Sequence, residues 1–230
     1  AIGTEDAYNN MISALTASPK PSSKVTAALA AALGRAKVAA AVPALTEAID
    51  MAAGMGSDQT SIDANNANKE IARALTDIGD PKAAGEIIRL LRASQDNYVR
   101  IEAINALSKF KDPAAAEVLI DIVNDVRLEP FLIKKALLAL GDLKSESAMD
   151  TLIWMLFYEQ RGTTFFPESS MGIFKMGDRA VDPVIAILEG TNKELMARAK
   201  EEKVKRSAML AKAAQILGDL GRRKAVRPLI

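Results

Sequence analysis

Trp154 and Phe157 are the residues whose type and spacing stand out most for chemistry. They sit three apart, on one face if the segment is helical. Elsewhere in the chain the same two places hold Glu47 and Asp50, Arg89 and Arg92, Asp121 and Asn124, and Ala186 and Glu189. Six of the ten aromatic residues, Trp154, Phe157, Tyr158, Phe165, Phe166 and Phe174, fall between 154 and 174. The chemistry such a cluster offers is desolvated anchoring of a partner, for which Trp and Tyr are preferred. Two readings stay open: an exposed aromatic patch, with Trp154, Phe157 and Tyr158 as anchors, or a core that Phe165 and Phe166 cover when the irregular stretch 159–170 folds back. The charges Arg89, Arg92, Asp121 and Asn124 are further candidates, as a polar register that selects a partner or as an ordinary solvated ladder.

Chain-wide composition removes many catalytic schemes. There is no histidine and no cysteine. Disulfides, thiolate nucleophiles, zinc sites of the usual kind and imidazole acid–base chemistry are therefore excluded. No phosphate-binding glycine loop, nucleophile elbow or metal-spaced cluster is present. Asp142, Asp178 and Asp219 stand near predicted turns, where helix capping explains them. No catalytic residue, metal or cofactor is expected.

Net charge is +1, unevenly spread. Residues 191–230 hold 11 Lys and Arg against 4 Asp and Glu; residues 1–190 hold 19 against 25. The basic end, with Lys203, Lys205, Arg206, Arg222 and Arg223, could meet phosphates or anionic lipid. Glu201 and Glu202 interrupt it and no aromatic interleaves it for base stacking, so nucleic acid is the weaker expectation.

The elements that must position these residues are written as a repeat. GDPKAAGEIIRLL at 79–91 recurs as KDPAAAEVLIDIV at 111–123, KSESAMDTLIWML at 144–156, GDRAVDPVIAIL at 177–188 and GRRKAVRPLI at 221–230, with a looser copy, AVPALTEAI, at 41–49. The starts at 79, 111, 144 and 177 are 32, 33 and 33 residues apart. A fixed period of this length marks a solenoid. Each unit reads as helix, short turn, helix. Ile101, Ile104 and Leu107 recur at helical spacing; then Asp112 and Pro113 suit the start of the next helix. Two columns of the second helices are core by spacing: Leu45, Ile87, Leu119, Leu152, Val184 and Leu229, and Ile49, Leu91, Val123, Leu156 and Leu188. Gly79, Gly177 and Gly221 suit the left-handed residue that ends a helix; Lys111 and Lys144 would fill that place at some cost. Asp80 and Asp178 could cap the following helices. Small, alanine-rich surfaces let the helices approach closely.

Breaks in the period are also readable. The polar stretch 54–67 lengthens the first spacing, and 191–206 lengthens the last to 44 (Gly177 to Gly221). The latter is expected as a helix projecting from the array or as a mobile loop. The organisation expected is one repeat domain over 1–230: an N-terminal helix (Glu5–Thr16) and linker over 1–21, five repeats over 22–190, and an insertion with a truncated last repeat over 191–230. Val226, Leu229 and Ile230 read as core residues without a cap, which suggests either a fragment or an end that something else buries. The start at Ala1 leaves room for a removed targeting segment, so cytoplasm and cell envelope stay open. No apolar run reaches the roughly 18 residues that span a membrane.

The GDPxAxxxLIxxL phrase and its paired helices resemble HEAT-like repeats, in the short Gly-Asp-containing form of bacterial HEAT-repeat proteins and phycobilin lyases. The resemblance covers about Lys24 to Ile230. It implies an all-α, right-handed α-solenoid (superhelix) of about six helix–turn–helix repeats whose second helices line a binding surface. A HEAT-like hydroxylase would need His-Glu metal ligands, which this chain lacks. A HEAT-like DNA glycosylase would need a basic groove, and the body here is acidic. The expected function is a non-catalytic scaffold for a protein partner of unknown identity. The alternatives are nucleic-acid or anionic-surface binding at the basic end, and an enzyme of the bilin-lyase kind.

Overall fold

The computed structural model describes residues 4–54 and 56–229, with side chains through Pro228. Among them the chain is all-α apart from one short hairpin. It divides into two units, Ala1–Val118 and Leu119–Ile230.

In the first unit α1 (Glu5–Leu15), α2 (Ser23–Arg35), α3 (Val42–Glu47), α4 (Gln59–Ile78), α5 (Ala84–Ala93) and α6 (Asn97–Phe110) follow one another. α2 packs on α4, α4 on α6, and α5 on α6. The α2–α4 approach is close because Gly34 faces Ala74: a Cβ on Gly34 would lie 2.5 Å from the Ala74 Cα. The core columns are buried here as their spacing predicts, with Leu45, Ile87, Ile49 and Leu91 all nearly inaccessible.

The polar stretch 54–67 is a helix from Gln59 onward, so α4 runs 20 residues. Asp58 starts it by accepting the Ser61 amide at 3.0 Å. Asn65 and Asn68, which sequence propensity favours in loops, are buried and hold the preceding turn. Asn68 Nδ2 donates to the Asp50 carbonyl at 2.8 Å and Asn68 Oδ1 accepts the Asp50 amide at 2.9 Å. Asn65 Nδ2 donates to the Gly54 carbonyl at 2.8 Å.

α7 (Ala115–Asn124) spans the bound between the units. The second unit continues with α8 (Pro130–Leu143), α9 (Met149–Met155), a hairpin of β1 (Glu159–Gln160) and β2 (Thr163–Thr164), α10 (Phe166–Met176), α11 (Val181–Glu189), α12 (Lys193–Glu201), α13 (Arg206–Leu220) and α14 (Val226–Leu229). α8 packs on α10, α9 on α10, and α11 on α13. Leu119, Leu152, Val184, Val123 and Leu156 are buried; Leu188 is half-buried. The Ile230 end and the Leu229 side chain lie outside the described residues, and Val226 is exposed. The hairpin turns at Arg161 and Gly162, both with positive φ (49° and 76°), as a two-residue type I′ connection needs.

Lys111 and Lys144 do end α6 and α8 in the left-handed conformation, at φ 56° and 53°. Asp80 caps the next turn, accepting the Lys82 amide at 2.9 Å. Asp142 and Asp178 depart from the capping expectation. Asp142 lies within α8 and accepts Lys175 Nζ at 2.6 Å, and Asp178 accepts Arg222 Nε from the following repeat.

The segment 191–206 neither projects nor lies loose. α12 is amphipathic, and Leu195 and Ala199 carry it back onto the second unit. Arg206 closes its base, donating to the Ile187 carbonyl through Nη1 and to the Leu188 carbonyl through Nη2, each at 2.8 Å.

Candidate functional site

In the second unit α9 and the residues just after it place Trp154, Phe157 and Tyr158 together. Residues three apart on a helix share a face. Their counterparts Glu47, Asp50, Arg89, Arg92, Asp121 and Asn124 are exposed on α3, α5 and α7 and the turns that follow. Trp154 and Phe157 are instead only 3% and 7% exposed. The cover has two sources. Tyr158 lies against Trp154, ring centroids 6.1 Å apart and tilted, and stacks on the buried Phe165, also at 6.1 Å. The hairpin that separates Tyr158 from Phe165 folds Phe165 back onto Tyr158, whereas the covered-core reading sets Phe165 and Phe166 over Trp154 and Phe157.

The second source is α12. Arg198 places its guanidinium carbon 3.9 Å from the centroid of the Trp154 ring, a cation–π contact. Among the described residues Arg198 forms no ion pair. From α13, Lys212 Nζ donates to the Leu156 carbonyl at 2.8 Å. It stands 5.9 Å from the Phe157 ring and 5.2 Å from that of Phe166. The result is an aromatic floor with cations seated on it. Arg198 reads in the sequence only as part of the basic end, and nothing there pairs it or Lys212 with the aromatics, because their partners lie 44 and 56 residues away.

A cavity of about 230 Å³ opens on one side of α12, lined by Asp150, Ile153, Trp154, Asn192, Glu194 and Arg198 among others. A second, of about 320 Å³, lies where the chain leaves α12, lined by Trp154, Phe157, Tyr158, Glu159, Glu202, Lys203 and Lys212 among others. Trp154 is a wall of both.

Of the predicted basic residues Lys203 lines the second cavity, and several of the other predicted residues are already engaged. Arg89 pairs with Glu86 on its own helix at 2.8 Å, and Arg92 approaches Glu117 at 3.7 Å. Asp121 and Asn124 are exposed on α7. At the basic end Lys203, Lys205 and Arg223 are exposed. Arg206 is turned to backbone carbonyls, and Arg222 and Lys224 pair with Asp178 and Asp182. Among the described residues no group of three or more carboxylates gathers as a metal site, and no helix is long and apolar enough to cross a membrane.

Comparison with known proteins bears on this arrangement. A family model of HEAT repeats matches residues 63–130. No curated protein matches the chain. Among solved structures, the complex of CpcE and CpcF of phycocyanin lyase from Nostoc sp. PCC7120 is similar in fold. The likeness covers 99% of this chain and 82% of that one at 22% identity, with a TM-score of 0.56. This corrects the expectation of a non-catalytic chain. That expectation rested on helix-pair repeats and thin catalytic motifs, and the same architecture serves in a lyase complex. The family match makes residues 63–130 HEAT repeats, and the repeated helix pairs and the shared architecture carry a HEAT-like fold over the rest of the chain.

Proposed function

We propose that this chain is an enzyme subunit of the bilin-lyase kind, working with a protein partner on a linear tetrapyrrole. The observation that carries the reading is the likeness over nearly its whole length to a chain of the phycocyanin lyase complex. That structure holds two different proteins together, which supports a partner here.

The aromatic and cationic cluster of the second unit suits such a substrate in kind. A linear tetrapyrrole is conjugated and carries carboxylates. Trp154 and Tyr158 offer π surface, and Arg198, Lys203 and Lys212 offer countercharge. With no histidine or cysteine in the chain, the contribution of these residues is binding, orientation and exclusion of water. Tyr158, Glu159 and Glu202 place a hydroxyl and two carboxyl groups at the rim.

The test is titration of the full chain with a linear tetrapyrrole, alone and with apo-phycocyanin as acceptor. The expected result is a shifted visible band, quenched emission from Trp154, and pigment that stays on the acceptor after denaturation. Unchanged spectra and a colourless acceptor would overturn the reading.

A further inference from the structure

Segment 191–205 leaves α11 at Gly190, which has φ 71°, and turns again at Lys203, with φ 56°. The clasp of Arg206 on Ile187 and Leu188 fixes the point of departure and return. Between these fixed ends the hold on the rest of the unit is slight. Leu195 and Ala199 are the buried residues of α12, and Arg198 rests on the Trp154 ring. A segment with few buried apolar contacts opens at low cost. Trp154 lines two cavities along this segment, one of about 230 Å³ with Asn192, Glu194 and Arg198 and one of about 320 Å³ with Glu202 and Lys203. Joined, they fall in the size range of a small-molecule site.

We propose that this segment is a strap over a binding site whose floor is Trp154. When the site fills, Arg198 moves from the ring to a carboxylate of the ligand. The lining sets the ligand's chemistry. Trp154, Phe157 and Tyr158 take a flat conjugated body. Arg198, Lys203 and Lys212 take carboxylates. Asp150 and Glu194 in the first cavity, and Glu159 and Glu202 in the second, take N–H donors. The ligand class is therefore a flat conjugated molecule bearing both carboxylates and N–H groups. The empty site is kept closed by the side chain that later reads the carboxylate. Arg198 is thus a specificity-determining residue and the latch of the strap.

The inference deepens the lyase reading by placing its ligand, but its test reads neither a tetrapyrrole nor turnover, so either can fail without the other. The chain has one tryptophan, so intrinsic emission excited at the indole edge reports Trp154 alone. In the ligand-free chain, acrylamide should quench wild type weakly and Arg198→Ala severalfold more strongly. The binding probe is carbazole-3,6-dicarboxylate, titrated calorimetrically against its uncharged dimethyl ester. The diacid should bind wild type and bind Arg198→Ala at least about tenfold more weakly, the loss expected for one charge-assisted hydrogen bond. The ester should bind both alike, and Arg198→Lys should recover part of the diacid affinity. Equal quenching of wild type and Arg198→Ala overturns the latch. Absence of diacid binding, or equal diacid affinity in the two proteins, overturns the site.

Discussion

Gly141 on α8 and Gly172 on α10 meet backbone to backbone: a Cβ on Gly141 would lie 2.6 Å from the Gly172 Cα. A Cβ on Gly172 would instead meet a methyl of Leu152 at 2.7 Å, and a terminal methyl can turn aside. The two positions should therefore respond differently to alanine. Gly141→Ala should destabilise by about 1–3 kcal/mol, the usual cost of overpacking. Gly172→Ala should lose less, because the Leu152 methyl can move where the Gly172 backbone cannot, while both variants gain about 0.5–1 kcal/mol of helix propensity. Urea denaturation of both variants checks the order, and a Gly141→Ala protein as stable as wild type would refute the close approach.

Lys111 and Lys144 occupy left-handed backbone with a Cβ, at φ 56° and 53°. That conformation costs a side-chain-bearing residue about 1–2 kcal/mol, partly offset in glycine by the larger entropy of its unfolded chain. Lys111→Gly and Lys144→Gly should each raise the melting temperature. Unchanged or lower melting temperatures in both would count against the strain.

Asn68 satisfies both the amide and the carbonyl of Asp50. Asn68→Ala should strip both bonds and cost about 1–3 kcal/mol, at about 0.5–1.5 kcal/mol for each part-buried hydrogen bond. Amide exchange at Asp50 should accelerate in the variant. Unaltered protection there would mean that water replaces the side chain without loss.

Asp58 gives the chain a local pH dependence. The backbone amide of Ser61, and then its hydroxyl, hold the Asp58 carboxyl below the ordinary aspartate range. A depressed folded value means that the contribution is complete above the unfolded value and is lost as pH falls through the lower folded one. Wild type should exceed Asp58→Ala in stability at neutral pH, and the gap should close in acid. A gap that persists well below that range would assign the effect to something other than the carboxylate.

The repeat was legible because it is local. Leu45, Ile87, Leu119, Leu152 and Val184 are buried where their spacing put them, since period alone decides which side of a helix faces its neighbour. The first half of α4 was not legible. Asn65 and Asn68 read as loop formers, and what makes them helical is capture of carbonyls 11 and 18 residues back. For Trp154 and Phe157 the column pattern pointed outward. The irregular stretch after them folds Phe165 onto Tyr158, whose ring is one cover of Trp154. The other, Arg198, arrives from a later repeat. The long spacing from Gly177 to Gly221 announced extra residues there, but nothing in their order says which side chain they would cover.

The Arg206 clasp makes the excursion between α11 and α13 begin and end at one place. Its length is thereby uncoupled from the stacking of those helices: residues can be gained or lost within 191–205 while α13 keeps its seat on α11. This repeat can change what covers Trp154 without altering the frame that holds it.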